Sequence, residues 1–193
     1  MLHKGILMNK KKVLVLLATL VISTALAACG NSDSGYTTGD NSKDGRSQVS
    51  QGELKSIPDF SAEDIEGNKV DNSIFKENKV TLVNVWATWC GPCVNELPEI
   101  QKVYSELKDK GIGVVGIVAD GNDAKDTAKE LIELESLKYK MIIPDSNLEK
   151  NLISTLRGFP TSYVVDSEGK ILGMKVGGMN AEGFKEFIEQ YAK

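Results

Sequence analysis

Eight residues, Val80 to Ala87, form a near-continuous apolar run that leads through Thr88 into Trp89-Cys90-Gly91-Pro92-Cys93. A run this short and this apolar predicts a central strand buried on both faces. A helix is predicted directly after it. Val94, Leu97, Ile100, Tyr104 and Leu107 recur at spacings of three and four, which gives one apolar face. Pro92 suits the first turn, where its missing N–H costs nothing. Pro98 falls inside the helix and should kink it. The two cysteines are therefore predicted at a strand-to-helix junction.

The rest of the domain continues the alternation. Ile57 to Val70 reads as an irregular start with a short strand or hairpin, turning at Glu66-Gly67-Asn68. Gly111 ends the first helix, and Ile112 to Ala119 is a second buried strand. Asp120 to Asp123 offers a cap for a helix over Ala124 to Leu137, with Ala128, Leu131, Leu134 and Leu137 on one side. Lys140 to Ile143 is a short strand, and Asn147 to Leu156 another short helix. Thr161 to Val165 and Ile171 to Val176 are strands joined by the hairpin signal Asp166-Ser167-Glu168-Gly169. Asn180 caps a last helix whose apolar face is Phe184, Phe187, Ile188 and Tyr191. Strand–helix–strand order predicts an α/β fold with parallel pairing and right-handed crossovers.

Ahead of this domain the composition changes twice. Lys10, Lys11 and Lys12 precede a fourteen-residue apolar run, Val13 to Leu26. That suits a signal peptide core of about 7–15 residues and is short for a membrane span of about 20. The run ends Leu26-Ala27-Ala28-Cys29, which resembles the lipobox of bacterial lipoproteins. The resemblance implies cleavage after residue 28, diacylation of Cys29 and an extracytoplasmic domain tethered to the membrane. An uncleaved anchor is the alternative, and it gives the same sidedness. Residues 29–56 are rich in Gly, Ser, Asp and Asn and read as a tether, leaving 57–193 as the folded domain. Without the leader the chain carries 19 basic and 27 acidic residues, a charge of −8. Such a surface repels nucleic acid phosphates.

Cys90 and Cys93 are the only cysteines of the folded domain. A Cys-x-x-Cys serves as a zinc half-site, a structural bridge or a redox pair. Zinc wants four ligands, but there is no second pair and the one histidine is His3. A bridge closing so small a loop gains little entropy. The redox reading has direct physics behind it. Unpaired N–H groups at a helix N-terminus stabilise a thiolate, which makes an exposed Cys90 the nucleophile. Cys93, one turn on, then resolves the mixed disulfide by attacking Cys90.

At this point the sequence resembles thioredoxins over about 135 residues. The matching features are the strand, Trp89-Cys90-Gly91-Pro92-Cys93, the helix with Pro98, and Gly158-Phe159-Pro160-Thr161 before a strand. The resemblance implies a thioredoxin-like fold, a central mixed sheet flanked by helices. It implies a cis Pro160 beside the disulfide, with Phe159, Pro160 and Thr161 presenting substrate peptide to Cys90. Trp89, Gly91 and Pro92 would complete that surface, with Trp89 shielding the disulfide. Trp86 reads equally as core, and Gly177 as either a substrate approach or a plain turn.

The TlpA/ResA-like branch of thiol–disulfide oxidoreductases is the nearer match. Pro58-Asp59-Phe60 opens the domain as in that branch. About forty residues between Ala119 and Pro160 leave room for an extra helix and strand. Asn84 stands where cytoplasmic thioredoxins carry a buried Asp. The branch has a Glu at the position of Glu96 that tunes the thiols; a solvated helix residue is the competing reading. Gly91 departs from the Glu that ResA-like proteins often carry between the cysteines, which leaves a cytochrome-specific role in doubt.

The expectation is a membrane-tethered oxidoreductase without a bound cofactor or metal, acting as a monomer and more as a reductase than an oxidase. Thioredoxin, which shares Gly-Pro between its cysteines, sits near about −270 mV, against about −120 mV for strong oxidants. By family analogy its electrons come from a membrane protein of the CcdA/DsbD type. Substrates would be apocytochrome c cysteines, oxidised methionine sulfoxide reductase or misoxidised surface proteins. An oxidase of secreted thiols is the rival within enzymes, and a solute-binding lipoprotein the rival outside them.

Overall fold

A computed structural model of the chain describes residues 54–192. The expected signal peptide, Cys29 and the tether up to residue 53 lie outside the described residues. Among the described residues there are seven strands and four α-helices, alternating over residues 80–166. The strands are β1 (Ser61–Asp64), β2 (Lys69–Asp71), β3 (Val80–Trp86), β4 (Ile112–Val118), β5 (Lys140–Ile143), β6 (Thr161–Asp166) and β7 (Ile171–Val176). The helices are α1 (Gly91–Leu107), α2 (Lys125–Leu134), α3 (Ser146–Asn151) and α4 (Ala181–Glu189).

All seven strands join one mixed sheet in the order β2-β1-β5-β4-β3-β6-β7. β3 pairs parallel with β4 and antiparallel with β6, and every residue of β3 is buried. Alternation along β3 feeds two cores. Val80, Leu82 and Trp86 face α1 and α4, where Leu97, Ile100 and Phe184 pack. Val83 and Val85 face Phe60, Phe75, Leu148 and Leu152. Because β4 and β5 run parallel to β3 and β6 runs against it, one end of the sheet gathers four features: the exit of β3, the exits of β4 and β5, and the entry of β6. The thioredoxin-like architecture expected from the sequence is the one observed, and α2, β5 and α3 fill the stretch between β4 and β6.

Four local expectations change. The helix over 124–137 stops at Leu134, because Ser136 takes a left-handed φ of 52°. That turn brings Leu137 into the core and leaves Leu134 75% exposed. No side chain caps α2 at Ala124, so the Asp120 to Asp123 stretch is not its cap. α1 runs through Pro98 to Leu107, and Val103 joins the buried face that Tyr104 only borders, while Val94 is outside it. The fold also begins earlier than Ile57. Lys55 accepts from the N–H of Ile171 at 2.8 Å, and Ser56 bridges Lys170.

Phe184 is fully buried between α1 and the sheet. Phe184→Ala is expected to cost about 3–5 kcal/mol through lost transfer energy and an unfilled cavity. Urea denaturation of the oxidised protein checks it; a cost under 1 kcal/mol would mean α4 collapses into the space.

Candidate active site

β3 delivers the chain to the reactive end. A tight turn over Ala87 to Cys90 follows, closed by the N–H of Cys90 donating to the Ala87 carbonyl at 3.1 Å. Cys90 is then the N-cap of α1, with φ −88° and ψ 98°. Its sulfur accepts from the N–H of Cys93 at 3.3 Å, so one of the orphan donors of the helix start is aimed at Sγ. That geometry favours negative charge on Sγ when the pair is reduced. Pro92, the second helical residue, removes a donor that would have lacked a partner. Cys90 and Cys93 form a disulfide. Cys93 is wholly buried and Cys90 keeps 5% exposure, so the end that was expected to be open is a narrow window.

The surface around that window is apolar. Trp89 is 70% exposed and meets Phe159 edge-on, with ring centroids 5.6 Å apart. Trp89 thus stands out at the surface next to Cys90. The Phe159–Pro160 peptide is cis. Pro160 is buried, and its carbonyl accepts from the N–H of Gly177 at 2.9 Å. Gly177 needs to be glycine: its φ is +98°. Gly91 and Pro92 are exposed. Thr161 is different from its expectation. It is buried, and its hydroxyl donates to the Gly158 carbonyl at 2.7 Å, so the side chain pins the Pro160 loop and does not face solvent. Trp86 belongs to the core.

Behind the disulfide lies a buried polar cluster. Asn84 and Ser162 sit opposite each other in the β3–β6 register, on the face toward α1. Asn84 donates through Nδ2 to Ser162 Oγ at 3.0 Å and to Glu96 Oε1 at 2.7 Å. Glu96 Oε2 accepts from the N–H of Met179 at 3.2 Å. Of the two readings of Glu96, the solvated one does not survive: the residue is 3% exposed. Burial pushes its carboxyl up to about 7, against the opposing pull of the Asn84 and Met179 donors. Tyr139 is close enough to feel the Glu96 charge; burial first and that charge second hold its hydroxyl above the ordinary value. A shallow groove of about 360 Å³ along Pro92, Asn95, Gly178 and Met179 connects Glu96 to solvent.

Sequence reasoning missed two contributors. Ser162 carried no signal beyond its place in a strand. Local pattern puts Asp120 in a helix cap, yet its carboxylate accepts from the N–H of Thr88 at 3.1 and 3.2 Å and from the Thr88 hydroxyl at 2.6 Å. Among the described residues, no three His, Cys, Asp or Glu side chains cluster as metal ligands.

A disulfide capping a helix at the end of a buried strand, with a cis-proline loop across from it, defines a thioredoxin-fold thiol–disulfide oxidoreductase. The family model described as Redoxin matches residues 53–189, and the chain belongs to that family. It is 31% identical over 141 residues to thiol-disulfide oxidoreductase ResA of Bacillus anthracis, covering 72% of this chain and 76% of that one. With ResA of Halalkalibacterium halodurans the identity is 30% over 169 residues and 88% of each chain. Among solved structures, a thiol:disulfide interchange protein of Chlorobium tepidum superposes with a TM-score of 0.62 at 25% identity, over 72% of this chain and 97% of that one. StoA of Bacillus subtilis superposes with a TM-score of 0.56 at 25% identity, over 69% and 98%.

The Glu96 shift has a consequence for stability. Unfolded, the carboxyl titrates near 4.5; folded, near 7. The folded state therefore keeps a proton that the unfolded state has released, and stability falls as pH rises through that window. The loss is on the order of 2–4 kcal/mol. Glu96→Gln should flatten this slope, read from urea midpoints at several pH values between 4.5 and 7.5; an unchanged slope would locate the proton elsewhere. Asn84→Asp should steepen it, because two carboxyls would then share the contact that is now 2.7 Å long.

Proposed function

We propose that the protein is a lipid-anchored reductase of protein disulfides on the extracytoplasmic face of the membrane. The observation that carries the mechanism is Glu96, a buried carboxyl poised near neutral pH one helical turn from Cys93. In the reduced protein the Cys90 thiolate attacks a substrate disulfide, and one substrate thiolate leaves. Cys93 then gives its proton to Glu96 and attacks Cys90 Sγ. The second substrate thiolate leaves, two electrons have moved to the substrate, and the Cys90–Cys93 disulfide remains. The groove beside Met179 returns the Glu96 proton to solvent.

The Trp89–Phe159 surface and the Pro160 loop would hold the substrate polypeptide, with Gly91 and Pro92 on the facing side. Gly91-Pro92 between the cysteines favours the reducing direction, as in thioredoxin. Reduction outside the cytoplasm needs a supply of electrons, and a membrane dithiol relay of the CcdA/DsbD type fits that need. No step of the mechanism calls for a second copy of the chain. Anchoring rests on the box Leu26-Ala27-Ala28-Cys29 behind its apolar run. Two acyl chains would hold the domain stably, where one binds only marginally.

The reduction potential in glutathione buffers tests the direction: about −250 mV or lower fits a reductase, and about −120 to −150 mV makes the protein an oxidase of secreted thiols. Cys29→Ser should move the protein from the membrane fraction to the soluble extracytoplasmic fraction; retention in the membrane would rule out lipid anchoring through this residue. Cys93→Ser should accumulate mixed disulfides through Cys90, visible on non-reducing gels.

A further inference from the structure

We propose that Asp120 is a positioning residue for disulfide exchange, acting through Thr88 on the turn that carries Trp89 and Cys90. This rests on exchange at Cys90 and holds for either direction of electron flow.

The turn from Ala87 to Cys90 spends its closing bond between the N–H of Cys90 and the carbonyl of Ala87. The N–H of Thr88 points away from that bond and has no strand partner, because the β3 ladder ends at Trp86. Asp120 stands beside it because the β4 side continues one step past its strand, with the N–H of Ala119 donating to the Trp86 carbonyl at 2.7 Å. Both carboxylate oxygens lie within 3.2 Å of the Thr88 N–H, and one also takes the Thr88 hydroxyl at 2.6 Å. Hydrogen bonds to an ionised acceptor are about twice as strong as neutral ones. The turn is thus tied twice, at its closing bond and at its first inner residue. Glu96 and its partners lie behind the disulfide and make no bond to the turn.

The clasp matters because of what the turn must hold out. Trp89 is 70% exposed and touches Phe159 across the cis-proline loop, so burial does little to fix its backbone. A polypeptide docking against Trp89 and Phe159 meets a preorganised surface if Thr88 is clamped, and has to order the turn itself if Thr88 is free. The same clamp sets where the N-cap Cys90 sits over the helix N–H groups. Asp120 touches neither sulfur nor substrate; its effect passes through Thr88.

The test is steady-state reduction of insulin by the full-length protein, with dithiothreitol as the electron donor that returns the Cys90–Cys93 disulfide to the dithiol each turnover and the uncatalysed rate subtracted, and with KM and kcat separated. Asp120→Ala, which removes both contacts, should raise KM on the order of tenfold with a smaller fall in kcat, and Thr88→Val, which keeps the N–H contact, should raise it by less. Thr88→Ser, which keeps the hydroxyl, should restore wild-type KM, and Asp120→Asn, which keeps one acceptor oxygen, should restore part of it. The double variant Asp120→Ala/Thr88→Val should be no worse than Asp120→Ala alone, which already removes both the N–H and the hydroxyl contact, as for two residues acting as a unit. Wild-type KM in both single variants would overturn the proposal. So would multiplicative effects in the double variant, or a loss confined to kcat that follows a lowered Tm, since a merely structural contact behaves that way.

Discussion

The reactive end hangs from β3. That strand is buried along its whole length, paired on one side by a parallel strand and on the other by an antiparallel one. Those two pairings have opposite consequences at the same place. The parallel partner β4 finishes there and presents Asp120, while the antiparallel partner β6 begins there and presents Pro160. Neither would stand beside Cys90 if β3 slipped by one residue, because a one-residue slip turns every side chain to the other face. Asn84 would then leave Glu96, and Leu82 and Trp86 would leave their core. The apolar packing that makes β3 central thus also sets the register of the chemistry.

Much of this was legible from the chain. Strong periodic signals marked β3, β4, α1 and α4, and the Cys-x-x-Cys could be placed at a helix start from Pro92 and the apolar spacing alone. Pairwise polar contacts were not legible, for a physical reason. Asn84 and Glu96 are twelve residues apart, Thr88 and Asp120 thirty-two, and Asn84 and Ser162 seventy-eight. Such contacts depend on which strands become neighbours, and local pattern does not encode that. Asp120 shows the cost. By local rules an acidic residue ahead of a helix is a cap, and in the fold the Thr88 N–H and hydroxyl, donors at the end of the neighbouring strand, claim it. Leu134 failed in a similar way. Its spacing fitted the helix face, but Ser136 turned the chain first.

The buried carboxyl sets a balance between folding and chemistry. A carboxylate at Glu96 is costly because it is desolvated, and the Asn84 amide and Met179 N–H offset only part of that cost. An Asp in place of Asn84 would add a second charge and no donor. An apolar residue there would remove a donor and raise the carboxyl further. The amide allows one ionisable group in the pocket to take up and release a proton near neutrality.

The first paired residues of the fold sit far from all of this. Ile57 donates to Gly169, and Lys55 accepts from Ile171, both at the end of the sheet opposite the disulfide. Pulling on the N-terminus therefore loads the domain at its distal pole. These two hydrogen bonds, the Ser56–Lys170 bridge and the buried Ile57 side chain take that load at the start of β7. The turn at Cys90 lies a full strand length away along β6 and β3. Load on the N-terminus thus enters the fold a sheet's length from the sulfurs.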